Sequence, residues 1–110
     1  MIETISDEQR RGRKKHRCDN CHGPIPPGTT YSYGYFKDGG DHWSFRSHLD
    51  CKAMAEADFA MMPNDYWEGI PALVDNDGLL EELDSWRGRF PHVVCRIELH
   101  EQLWEARNPA

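Results

Sequence analysis

Four side chains able to bind a metal recur in this chain with a fixed spacing: Cys18-x2-Cys21, then twenty-six residues, then His48-x2-Cys51. Each pair has a mechanical reason for its spacing. Two residues between Cys18 and Cys21 let a tight turn aim both sulfurs at one point, with backbone N–H groups turned toward the thiolates. His48 and Cys51 fall at i and i+3 of an expected first helical turn, so they leave one face with Cβ atoms about 5–6 Å apart. The expectation is a closed Cys3His tetrahedron around one Zn2+. Four protein ligands leave no position for an activated water, which marks a structural rather than a catalytic site. Cys95 could replace His48 as a ligand, but its neighbours Val93, Val94 and Ile97 point instead to a small buried hydrophobe.

A chain of 110 residues with 38% hydrophobic and 29% charged side chains has a thin core. Such chains usually lean on a metal, on disulfides or on a partner. No apolar run approaches the roughly 18–20 residues needed to span a bilayer, and residues 1–17 lack the apolar centre of a secretory signal. The expectation is a soluble cytoplasmic protein with no membrane partner. There, four cysteines serve as metal ligands or buried thiols more readily than as disulfides.

The net charge of −6 is unevenly divided. Residues 1–17 hold six cations (Arg10, Arg11, Arg13, Lys14, Lys15 and Arg17) against Glu3, Asp7 and Glu8, whereas the rest holds seven basic against sixteen acidic side chains. A basic arm, 1–17, with a short helix begun at Ser6 as one option, is therefore expected ahead of an acidic body.

Turn formers crowd residues 18–28 and exclude a helix interior there. Thr29, Tyr31, Tyr33 and Tyr35 then alternate as in a strand, Asp38-Gly39-Gly40-Asp41 makes a hairpin turn, and His42–Arg46 returns with Trp43 and Phe45 on one face. Ser47 is the expected N-cap of a helix running through Ala60, with Asp50 near the capping-box position. Residues 63–78 look like an irregular connector with some buried aromatics, and Asp77 is the expected cap of a helix over 78–87. The last segment fits either period; an extended start and a helix from about Ile97 to Arg107 are expected. The organisation expected is an arm (1–17), a finger (18–62) and a helical extension (63–110). The fold class is α+β: knuckle, β-hairpin and helix, with a mainly helical C-terminal half packed on them.

A knuckle, a hairpin and a helix carrying the last two ligands resemble the treble-clef zinc fingers. Cys-x2-Cys…His-x2-Cys with this spacer is similar to the finger of poly(ADP-ribose) polymerases. Cys18-x2-Cys21-x2-Pro24-Ile25-x2-Gly28-x2-Tyr31 is also similar to uncharacterised small zinc proteins of phages and prophages. The resemblance covers residues 16–60 and implies a fold and a set of metal ligands. It says little of function, since treble clefs serve nucleic-acid binding, protein binding and catalysis alike. The arginine-rich DNA-contacting face of the polymerase fingers has no counterpart here, where the hairpin offers only Lys37 and Arg46.

Other chemistries fit less well. Cys18-Asp19-Asn20-Cys21-His22 matches the haem attachment signature but lacks an export signal, and a redox C-x-x-C lacks its βαβ context. A metal-dependent nuclease could use Asp41-His42, but the helix after Cys51 offers no second histidine. Tyr31, Tyr33, Tyr35, Phe36, Trp43 and Phe45 could stack on bases or simply fill a small core. The leading expectation is a non-enzymatic zinc-binding adaptor or regulator that engages nucleic acid or a nucleoprotein through Arg10–Arg17 and the aromatic hairpin, with no small-molecule substrate. The runner-up is a phage-type inhibitor or regulator docking its acidic 56–105 half on a basic protein surface.

Overall fold

The computed structural model describes residues 3–61 and 71–108. The hairpin forms where tyrosine alternation and the double glycine place it. Strands β4 (Thr30–Asp38) and β5 (Asp41–His48) are joined by Gly39-Gly40, and Gly39 takes a positive φ of 62°. Phe36 lies so flat over Gly34 that a Cβ there would sit 2.6 Å from the ring. The same ring stacks on Trp43 across the hairpin, with centroids 5.9 Å apart.

Residues expected as a basic arm behave differently. Glu3–Arg11 form strand β1, antiparallel to β4 and at the edge of a three-stranded sheet ordered β1-β4-β5. No helix starts at Ser6, which lies opposite Tyr35. Without β1, β4 would leave a row of backbone N–H and C=O groups unpaired, and pairing satisfies them without any apolar side chain. The strand is exposed along nearly its whole length, and its charges and its irregularity between Thr4 and Ser6 are features that protect a sheet edge. Arg10, expected to be repelled by its neighbours, binds Glu8 at 2.6 Å. Arg11 ends β1, and the remaining cations occupy the turn after it and the short ribbon β2 (His16–Arg17), which pairs with β3 (Pro24–Ile25).

Helix α1 (Leu49–Phe59) follows β5 directly. Ser47 does not cap it. Ser47 belongs to β5, and the N-cap is His48, with no side-chain capping bond. The Ser47 hydroxyl instead receives the amide of Asn20 at 2.8 Å. The expected connector of 63–78 lies partly outside the described residues, as do Tyr66 and Trp67 within it; its last part holds a 3-10 turn, Leu73–Asp75.

The helix expected over 78–87 is split into α2 (Asp77–Glu81) and α3 (Leu83–Trp86) at Glu82. Its cap is Asn76, one residue before the expected Asp77, accepting from the Leu79 N–H at 3.1 Å. Helix α4 spans Pro91–Arg107 without an extended start, because Pro91 suits a first helical position. Burial follows Val93, Val94 and Ile97, so Cys95 is exposed rather than buried.

These helices and α1 share one core: Met54 and Ala55 meet Leu73, Leu79, Trp86, Val93, Val94 and Ile97, together with Cys18, Cys21 and Cys51. The fold is thus α+β, with its helical half packed against the cysteine cluster. Ile97 is fully buried, so Ile97→Ala is expected to cost about 2–5 kcal/mol, read as a lower denaturant midpoint at unchanged slope.

Candidate metal centre

The cluster is assembled from two ends of the chain's first half. Residues 18–23 close a tight knuckle held by Cys18 N–H to Gly23 O and His22 N–H to Cys18 O, both 2.9 Å. His22 takes a positive φ of 60° to complete it. Asp19 then clamps the knuckle onto β5. Its N–H donates to Arg46 O at 2.7 Å, and its carboxylate receives the Arg46 N–H at 2.8 Å. That clamp delivers the end of β5, with His48, and the first turn of α1, with Cys51, to the two knuckle sulfurs.

Cys18, Cys21 and Cys51 are fully buried and His48 is 9% exposed, and their ligand atoms all lie within 4.8 Å of one another. Tetrahedral bonds of about 2.3 Å to sulfur and 2.0–2.1 Å to nitrogen would set nitrogen and sulfur about 3.6 Å apart. His48 Nδ1 lies 3.4 Å from Cys21 Sγ and 3.7 Å from Cys51 Sγ. The other ring nitrogen, Nε2, is 2.9 Å from Pro24 O, an acceptor, so it carries the hydrogen and leaves Nδ1 free to ligate. The four residues are therefore compatible with one bound metal ion.

A second layer fixes the ligands. The Gly23 N–H donates to Cys21 Sγ at 3.4 Å. Asn20, 3% exposed, holds Ser47 through its amide and accepts from the Leu73 N–H at 3.0 Å, while its backbone oxygen takes the Val74 N–H. Knuckle, sheet and 3-10 turn thus meet on one side chain. Asn20→Ala would leave the buried Leu73 N–H unsatisfied and is expected to cost about 1–3 kcal/mol, measured by denaturation of the metal-loaded protein.

From the C-terminal half, α4 sends Arg96 to the site. Its Nη2 lies 3.3 Å from Cys51 Sγ and 2.5 Å from Asp50 Oδ1. Burial alone would lower the Arg96 guanidinium, but its contacts with Cys51 and Asp50 outweigh that and leave it raised. Three thiolates, a neutral imidazole and a divalent ion sum to a net charge of −1, and Arg96 offsets it.

Without a metal the cluster shares out its protons. Contacts with Cys21 and then Cys51 push Cys18 far down, contacts with Cys18 and Cys21 push Cys51 up, and His48 is raised to about 10 by Cys18 and Cys21. Metal binding needs deprotonated ligands. At pH 7, uptake should therefore expel at least two protons, those of Cys51 and His48, and affinity should fall as pH falls. Indicator absorbance in weakly buffered solution checks this; uptake without proton release would contradict it.

Every expected metal ligand is brought to the cluster, and Cys95 is not among them. The CxxCH histidine, His22, faces His100 with ring nitrogens 3.2 Å apart, and the cysteines are free thiols. Arg96, Asn20 and the Pro24 carbonyl were not legible as site residues. An arginine far along the chain carries no local signal, although an asparagine between the knuckle cysteines could have been read as a capping side chain. Compared with protein-family models, with curated proteins and with solved structures, the chain matches none.

Proposed function

We propose that this chain is a non-enzymatic module built on a single structural zinc ion in a treble-clef arrangement, engaging nucleic acid or a nucleoprotein through Arg10–Arg17 and the aromatic hairpin. The closed set of three thiolates and one imidazole favours zinc and leaves no open coordination position. Knuckle, hairpin and helix follow one another in the treble-clef order. No helix among the described residues is long and apolar enough to cross a membrane; free thiols around a metal suit a reducing, cytoplasmic setting.

The observation that carries the nucleic-acid reading is that Arg11, Arg13, Lys14, Lys15 and Arg17 are exposed and form no ion pair among the described residues. Unpaired cations in one run are the groups that neutralise phosphates. With these five changed to Gln, binding to labelled nucleic acid is expected to weaken and its salt dependence to flatten. Equal affinity and equal slope in wild type and variant would remove the reading.

One observation favours a second reading. On α4, Leu99, Leu103 and Trp104 are 55%, 51% and 61% exposed beside Glu98, Glu101 and Glu105. An apolar strip among carboxylates suits a basic protein surface, as a phage-type inhibitor would need. Leu99→Glu with Leu103→Glu in the full chain would then abolish capture of a basic protein while leaving nucleic-acid binding intact. The nuclease reading gains nothing from the geometry: His42 sits six residues up β5 from His48, about 20 Å of extended strand from the cluster.

A further inference from the structure

Strand register sorts the sheet's side chains by face. Arg10 of β1, Tyr33, Tyr35 and Lys37 of β4, and His42 and Arg46 of β5 all lie on one face. They form a strip in which rings and cations alternate. The Arg10 guanidinium lies 3.6 Å over the Tyr33 ring and that of Arg46 lies 5.1 Å from it, while Tyr35 stacks on His42 with centroids 6.0 Å apart and planes 25° from parallel. Tyr31, at the foot of the same face, is 3% exposed and belongs to the core. Tyr35 and His42 do not: His42 is exposed and Tyr35 half-buried, outside the core cluster. Core packing therefore accounts for the lower end of the strip and leaves its upper rings without a structural task. Glu8, the carboxylate beside Tyr33, is bound to Arg10.

We infer that this face binds the unpaired bases of a single-stranded nucleic acid, an inference that rests on the nucleic-acid reading above and narrows it. Bases stack on Tyr35 and His42 and on the guanidinium plane that Arg10 lays over Tyr33; Lys37, Arg46 and the cations of 13–17 take the phosphates. Spacing decides between strand and duplex. Tyr33, under the Arg10 guanidinium, and Tyr35 are two residues apart on one face of β4, about 6.6 Å. That is roughly twice the 3.4 Å step of a stacked duplex strand, so the rings match an extended strand with its bases splayed. Width agrees. The outer backbones of three strands are already about 10 Å apart, and with side chains they overfill a major groove about 12 Å wide.

The test uses the full, zinc-loaded chain and fluorescence anisotropy with a labelled single-stranded DNA, its RNA counterpart and the matching duplex, across a salt series. Either single strand is expected to bind more tightly than the duplex. Tyr35→Ala with His42→Ala is expected to weaken single-strand binding about ten-fold at an unchanged salt slope, whereas neutralising 11–17 lowers the slope. His42→Ala alone, on an exposed side chain, keeps the comparison valid should Tyr35→Ala disturb the sheet, with zinc stoichiometry as the check on folding. A duplex bound as tightly as the single strands, or ring variants that bind like wild type, overturns this inference and leaves the broader reading standing. Binding to none of the three probes overturns both.

Discussion

Cys51→Ser is expected to yield a protein without stoichiometric zinc and without a cooperative unfolding transition in its first sixty residues. The magnitude decides it. Structural zinc contributes an apparent 10–16 kcal/mol to small domains near neutral pH, whereas a whole domain is typically stable by only 5–15 kcal/mol. Little else is available to compensate, since three of the thirteen buried core hydrophobics among the described residues are the cysteines themselves. Stringent chelation should act like the substitution. Near-ultraviolet circular dichroism and amide dispersion would show the loss, with Cys95→Ser as a control that changes neither, because Cys95 is exposed and outside the cluster. A chelated protein that keeps its native signals would contradict this.

Arg96→Met is expected to lower zinc affinity about 10- to 100-fold, the usual consequence of removing an outer partner of a ligand, and to lower the thermal midpoint. Methionine keeps much of the apolar stem that lies against Gly23, so the effect isolates the charge. With it gone, Cys51 loses the N–H donor at 3.3 Å, Asp50 loses its ion pair, and the excess negative charge of the filled site stands uncompensated. Arg96→Lys should rescue only part, because one ammonium does not reproduce the guanidinium fork. Zinc competition against a chromophoric chelator measures the change. An unaltered affinity would mean that α4 merely rests on the centre.

The ligand pairs were legible because each obeys a local rule, a tight turn between Cys18 and Cys21 and a helical i, i+3 step between His48 and Cys51. The hairpin was legible for the same reason, since Tyr31, Tyr33 and Tyr35 alternate and Gly39-Gly40 turns the chain. Strand β1 was not. Its residues show no alternation of polar and apolar, and what orders them is the open edge of β4, a partner far along the chain. Charge repulsion among Arg10–Arg17 pointed to an arm, yet Glu8 and the Tyr33 ring absorb Arg10. In α4, Val93, Cys95, Ile97 and Leu99 imitate a strand. Burial instead follows the helical spacing of Val93, Val94 and Ile97, leaving Cys95 and Leu99 in solvent. Ser47 looked like a cap because serine favours that role, but its hydroxyl is taken by Asn20, and the chain turns into the helix one residue later at His48.

X-ray absorption at the zinc edge of the purified protein tests the central claim most directly. The account predicts one zinc per chain, surrounded by three sulfurs at about 2.3 Å and one nitrogen at about 2.0–2.1 Å. A protein without stoichiometric zinc, or a zinc shell dominated by oxygen, would contradict it.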